Sequence, residues 1–218
     1  MAKLVRENSL TLVTLLLFAL SVIGQALTGW SVYNSDQVEH GSEEISLPQY
    51  LGTGHFGEAI FENWESEFLQ MGLFVLLTVS LRQKGSPESK SIDGEEEVDR
   101  EPDPRRPGAP WPVRAGGLAA ALYARSLSIA LLGLFVLSFA LHVGTGAAAY
   151  SEEQQAHGQG AVSPLEYVAT PRLWFESLQN WQSEFMSIGA LVVLSVFLRQ
   201  KGSSESMPVD DPVGETGG

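Results

Sequence analysis

Hydrophobic residues gather into four blocks along the chain, separated by polar stretches instead of being interleaved at the spacing of a soluble core. The first block, from Leu10 to about Trp30, contains no charged residue and matches the roughly 20 residues needed to cross a hydrocarbon layer about 30 Å thick. The third, from about Leu127 to Ala149, has His142 as its single ionisable residue. Both predict membrane-spanning helices. The second and fourth blocks have shorter unbroken apolar cores, Phe68 to Leu81 and Phe185 to Leu198. Each is about 14 residues long, a length that also suits a buried helix of a soluble protein. To cross a bilayer, each must take its outer turns from the polar segment before it, which places Trp64 and Trp181 in the interfacial aromatic belt.

The pattern therefore predicts an all-α membrane protein with spans at about 8–30, 61–82, 125–148 and 178–199, and outer loops at about 31–60 and 149–177. Lys3 and Arg6 ahead of the first block, with Gly24-Gln25-Ala26 inside it, also resemble a signal peptide. The recurrence of an equivalent helix in mid-chain argues for a span instead. Orientation follows from the basic residues: Arg172 alone falls on one side of a four-span arrangement, and every other Lys and Arg falls on the opposite side. The positive-inside rule makes that opposite side the cytoplasm, so both termini are expected inside. The first outer loop has no Lys or Arg but contains Asp36, Glu39, Glu43, Glu44 and Glu58.

The chain also matches itself without gaps at a constant offset of 117 residues, the separation of Asn63 from Asn180. Roughly a third of the paired positions are identical over about 85 residues, far above chance. Asn63, Trp64, Ser66, Glu67 and Phe68 pair with Asn180, Trp181, Ser183, Glu184 and Phe185, and Arg82-Gln83-Lys84-Gly85-Ser86 pairs with Arg199-Gln200-Lys201-Gly202-Ser203. In the outer loops Tyr33, Gln37, His40 and Gly41 pair with Tyr150, Gln154, His157 and Gly158, followed by Ser46 with Ser163 and Tyr50 with Tyr167. Two helix-loop-helix repeats, residues 1–89 and 116–203, are therefore expected to insert the same way up. The charged, proline-containing segment 90–115 and the tail 204–218 cannot bury enough apolar area to fold, so their composition predicts a disordered cytoplasmic linker and tail.

The paired Asn-Trp-x-Ser-Glu-Phe motifs, each followed by Leu-Arg-Gln-Lys-Gly-Ser, and the Tyr, Gln and His-Gly positions of both loops resemble a family of uncharacterised bacterial membrane proteins classed as a domain of unknown function. The resemblance implies this architecture and a bacterial plasma (inner) membrane, and it implies no activity.

The formal net charge of −13 excludes nucleic acid as a partner, because backbone binding needs clustered Lys and Arg to displace counterions. The lack of cysteine excludes disulfide frameworks, thiolate nucleophiles and Cys-based zinc sites. Two groups of polar residues remain as candidates. The first is intramembrane: Glu67 and Glu184 recur at one apparent depth, flanked by Asn63 and Asn180, with His142 and Gln25 at similar depth on the other helices. Ionisable groups in a membrane interior usually face a bundle interior and mark a functional site, whereas a tilted or short helix would leave these glutamates at the headgroups. The second is the loop set Tyr33, Gln37, His40, Tyr150, Gln154 and His157. With nearby Asp36, Glu39, Glu152 and Glu153 it suits either a divalent ion or structural hydrogen bonding, but its spacing matches no standard zinc motif. No metal or cofactor is assigned.

Gly24, Gly72, Gly133, Gly144 and Gly189 are expected to let helices approach closely. No nucleophile with an oriented base can be identified, so an enzyme is not expected. The favoured reading is a non-enzymatic bundle in the lipid bilayer that binds a second copy or another membrane protein. The alternative is a small proton- or cation-coupled transporter or channel using Glu67 and Glu184.

Overall fold

The computed structural model describes residues 2–212, with the side chains of Ala2 and Leu4 left aside. Among the described residues all regular structure is helical, with no strand. The helices are α1 (Ala2–Glu7), α2 (Ser9–Glu39), α3 (Leu47–Tyr50), α4 (Gly54–Ser80), α5 (Trp111–Ala115), α6 (Gly117–Tyr123), α7 (Ser126–Ala156), α8 (Pro164–Val168) and α9 (Pro171–Phe197).

Among the described residues two helices, α2 and α7, are long and apolar enough to cross a membrane. Four were expected. Helices α4 and α9 have 27 residues each, but Asn63, Glu65, Glu67 and Gln70 on one, and Asn180, Gln182 and Glu184 on the other, keep every stretch of spanning length too polar to meet that standard. Only 6% and 17% of the most apolar stretches of α2 and α7 are buried within the chain, which is not the state of a soluble protein's core helix. From Leu10 to Leu27 most large apolar side chains of α2 are exposed. At about 2 kcal/mol for each Leu-sized side chain, leaving them in water would forgo more than the roughly 5–15 kcal/mol that stabilises a folded domain.

The chain divides into two compact units. One comprises the described residues up to Phe61 with Ala140–Leu173, and the other comprises Glu62–Phe139 with the described residues from Trp174 onward. In the first unit, local devices recur at positions 117 apart. Helix α2 ends at His40, where Gly41 takes a φ of +76° and Ser42 N donates to the Gln37 carbonyl (2.8 Å) while Gly41 N donates to that of Val38 (3.0 Å). This is the Schellman closure that a residue without Cβ permits. Helix α7 ends the same way, with Gly158 at +74° and Gln159 N on the Gln154 carbonyl at 2.8 Å.

The loop after each of these helices is pinned back onto it. Asn34 exchanges hydrogen bonds with the Ile45 backbone (2.9 and 3.0 Å), and Ser151 does so with that of Val162 (2.8 and 3.0 Å). Ser46 and Ser163 then open α3 and α8 through capping boxes. The two short helices deliver Tyr50 and Tyr167, 1% and 0% exposed, into the core. Their rings lie where a Cβ on Gly29 or Gly146 would stand.

In the second unit, Phe135 meets Trp181 edge-on at 6.3 Å, and Gly72 lies against Leu132, which a Cβ would approach to 2.9 Å. The Arg-Gln-Lys-Gly-Ser segments form matching turns, Gln83 N donating to Ser89 Oγ (2.7 Å) and Gln200 N to Ser206 Oγ (2.9 Å). Of the glycines expected to serve close approach, Gly72 does so, while Gly24, Gly133, Gly144 and Gly189 have nothing within 4 Å of the place a Cβ would occupy. Close approach falls instead to Gly29, Gly54, Gly57 and Gly146 of the first unit. The segment 90–115, expected to be disordered, holds a 3-10 turn at Glu97–Asp99 and α5, with Lys90 Nζ on Asp99 Oδ1 at 2.5 Å. Of the tail, residues 213–218 lie outside the described residues.

Candidate functional site

The first unit contains a cavity of about 580 Å³ at the C-terminal ends of α2 and α7 and the start of α4. Four carboxylates line it, those of Asp36, Glu58, Glu152 and Glu153, against one guanidinium, Arg172. Three imidazoles, His40, His55 and His157, complete its polar lining with Tyr33, Gln37 and Ser42. Four of the six loop residues singled out from sequence, Tyr33, Gln37, His40 and His157, thus come together in one cavity. Tyr150 and Gln154 do not line it; Tyr150 packs against Tyr167 with ring centroids 5.8 Å apart.

Hydrogen bonds fix much of this lining. Tyr33 Oη donates to Glu152 Oε2 (3.2 Å) and receives a long hydrogen bond from Gln37 Nε2 (3.4 Å). Burial, then the Glu152 charge, raises the Tyr33 pKa, so the phenol keeps its proton as donor. Tyr50 Oη lies 3.1 Å from His55 Nδ1. Burial holds the Tyr50 pKa up and the His55 pKa down, the latter partly opposed by Asp36 and Glu152. The pair is therefore a phenol donating to a neutral imidazole. The tyrosine 117 residues further on, Tyr167, donates to Glu58 Oε1 at 3.2 Å. Arg172 Nη1 pairs with Glu153 Oε2 at 3.2 Å.

His40 and His157 share one geometry. Each Nδ1 lies 2.8 Å from the carbonyl four residues earlier, that of Asp36 and Glu153 respectively. A carbonyl only accepts, so each Nδ1 carries the proton and Nε2 is the nitrogen left to bind. The two rings are 6.3 Å apart, edge to face.

Sequence reasoning passed over His55 and gave Glu58 and Arg172 no place in a site, because none recurs as itself at the 117-residue offset: His55 is matched by Arg172 and Glu58 by Phe175. The intramembrane set has members in both units. Gln25 and His142 belong to the first unit; Asn63, Glu67, Asn180 and Glu184 belong to the second. His142 is fully buried, and within its unit Glu58 offers a carboxylate oxygen within 4.8 Å of an imidazole nitrogen. Gln25 Nε2 donates to the Ala59 carbonyl at 3.2 Å.

In the second unit Glu67 is exposed and Glu184 half-buried, as is Asn180, while Asn63 is exposed. The carboxylate that is fully buried there is Glu65, which accepts a 2.6 Å hydrogen bond from Ser177 Oγ.

The family model of a domain of unknown function, DUF6766, matches residues 1–218. The chain belongs to that family. No curated protein and no solved structure matches it. For this member of DUF6766, membership adds no chemistry to what the side chains provide, so function is argued from the two features above: exposed apolar helices and an acidic, imidazole-bearing cavity.

Proposed function

We propose that the chain is a four-span protein of the bacterial plasma membrane, with both termini cytoplasmic, that binds a cationic ligand in its outward-facing cavity without acting on it chemically. The observation that carries the proposal is the cavity itself, where four carboxylates face one guanidinium. That imbalance favours a cation, and low-dielectric walls concentrate its field. The cavity grows from the ends of α2 and α7, whose apolar surfaces are turned outward.

Helices α4 and α9 cross through their apolar C-terminal halves. Support comes from the exposed Met71, Leu76, Leu77 and Val79 on one, and Met186, Val193, Leu194 and Phe197 on the other. A second copy or another membrane protein is the expected lateral partner.

A second reading, a proton or cation pathway, is favoured by one observation: a fully buried carboxylate on α4, Glu65, held by Ser177. Ionisable groups at such depth mark pathways in membrane proteins. On this reading Glu65 carries the role that sequence gave to Glu67 and Glu184.

The cysteine-free chain allows a clean test of topology. Single cysteines replacing Ser42 and Ser163 should react with an impermeant reagent in intact cells, and those replacing Ser91 and Ser204 only after lysis. Binding is tested by equilibrium dialysis of Ca²⁺ and Zn²⁺ against the purified protein, with and without Asp36→Asn and Glu152→Gln. Failure of every arm to retain an ion would remove the cation-binding reading, and labelling of the Ser91 position from outside would remove the four-span one.

A further inference from the structure

The carboxylate and imidazole of the cavity recur together. Asp36 and His40 sit four residues apart at the end of α2, and Glu153 and His157 sit four residues apart at the end of α7, each member 117 residues from its counterpart. Residues at i and i+4 share one helix face, so each copy presents one carboxylate beside one imidazole. All four line the same cavity.

We propose that His40 and His157, with Asp36 and Glu153 beside them, form a binding site for a first-row divalent transition metal such as zinc. This rests on the cation-binding reading above and gives it a ligand class.

Three features support the assignment. First, each imidazole has its Nδ1 proton committed to a backbone carbonyl at 2.8 Å. This is the arrangement that fixes the tautomer of metal-bound histidines and leaves Nε2 as ligand. Second, the two exposed rings stand 6.3 Å apart, within about 1 Å of the roughly 5 to 5.5 Å that one tetrahedral ion imposes on two imidazoles bound through Nε2 at about 2.1 Å. Third, a mixed imidazole and carboxylate set suits zinc and its neighbours, whereas calcium and magnesium prefer oxygen alone. The Arg172 contact to Glu153 is solvent-exposed on both sides, so it is weak enough to exchange when the carboxylate turns to an ion.

Co²⁺ titration, followed by visible absorbance, and Zn²⁺ titration calorimetry of the full chain in detergent test the site. No thiolate competes, since the chain has no cysteine. The expected result is one Zn²⁺ per chain bound at the cavity, a tenfold or greater loss of affinity in His40→Asn and in His157→Asn, and loss of the Co²⁺ spectrum in the double variant. Asparagine is compatible with a helix end, and circular dichroism checks that each variant stays folded. Retained Zn²⁺ affinity in both histidine variants, with loss in Asp36→Asn and Glu152→Gln, would overturn the imidazole site and leave the acidic cavity standing. Absence of both Zn²⁺ and Ca²⁺ binding would overturn the site together with the reading on which it rests.

Discussion

The second unit contains a pair of glutamates whose behaviour is predictable with pH. Glu88 and Glu205 occupy matching places, 117 residues apart, in the two Arg-Gln-Lys-Gly-Ser turns. Burial, together with a hydrogen bond from its carboxyl to Glu205 and the charge there, raises the Glu88 pKa from 4.5 to about 7. The same hydrogen bond lowers that of Glu205, so one proton serves both. A carboxyl whose folded pKa is raised favours folding while protonated. Its contribution is complete below about 4.5 and disappears as the pH rises through about 7. Fully shielded, such a shift would be worth about 3 kcal/mol. Glu88 is half-buried and Glu205 exposed, so solvent screening leaves about 1 kcal/mol. Glu88→Gln keeps a neutral donor facing Glu205 at every pH. At pH 8 the variant should therefore exchange the amides of residues 82–91 and 199–207 about fivefold more slowly than the parent protein, the factor that about 1 kcal/mol gives. At pH 5.5, where the parent carries the proton itself, the two should match. Hydrogen exchange read by mass spectrometry at both pH values decides it, because intrinsic rates cancel between proteins compared at one pH. Equal protection at pH 8, or the same difference at both, would refute the shared proton.

Further outcomes follow from packing and burial. Glu65→Ala should lower thermal stability by about 2 kcal/mol, because it leaves Ser177 facing a void, whereas Glu67→Ala, at an exposed position, should change it by less than about 0.5 kcal/mol; thermal unfolding in detergent compares them. Gly29→Ala and Gly146→Ala drive a methyl into Tyr50 and Tyr167 and should each cost about 1–3 kcal/mol, while Gly24→Ala, with nothing nearby, should cost nothing measurable in the same assay. Ser163→Ala should cost about 1 kcal/mol through loss of the α8 capping box, visible as faster exchange of the Glu166 and Tyr167 amides.

The part of the fold that was legible in the sequence lies at residues that recur 117 positions apart. The His-Gly pairs proved to be helix ends, the repeated serines helix starts, and the repeated tyrosines core residues seated on glycines. The cavity was only half legible. Tyr33, Gln37, His40 and His157 were found by their recurrence, but His55, Glu58 and Arg172 differ from their counterparts, so the same signal could not find them. Glu65, fully buried, was passed over for a related reason. Glu67 recurs and Glu65 does not, yet successive helical residues turn by about 100°, so positions two apart point to nearly opposite sides. Only one of the two can enter the interior, and recurrence does not say which. The four-span count weakens at α4 and α9 because their polar N-terminal halves satisfy helix geometry without satisfying an apolar window.

The recurrence of His40 and His157 asks for more than helix termination. A Schellman closure makes its strict demand on the following residue, where a positive φ favours glycine, and Gly41 and Gly158 meet that demand. An imidazole at the preceding position can donate to a last-turn carbonyl, which accounts for Nδ1 of each ring and leaves Nε2 without a part in the cap. Packing gives it none either, since both rings are exposed. The cost of keeping them is visible in the surroundings: each is placed one helical turn after a carboxylate, Asp36 or Glu153, and each commits its Nδ1 proton to a backbone carbonyl. What an exposed imidazole prepared in this way retains is a lone pair on Nε2, and two such lone pairs at the mouth of one acidic cavity define a chemistry that neither helix end needs for its own stability.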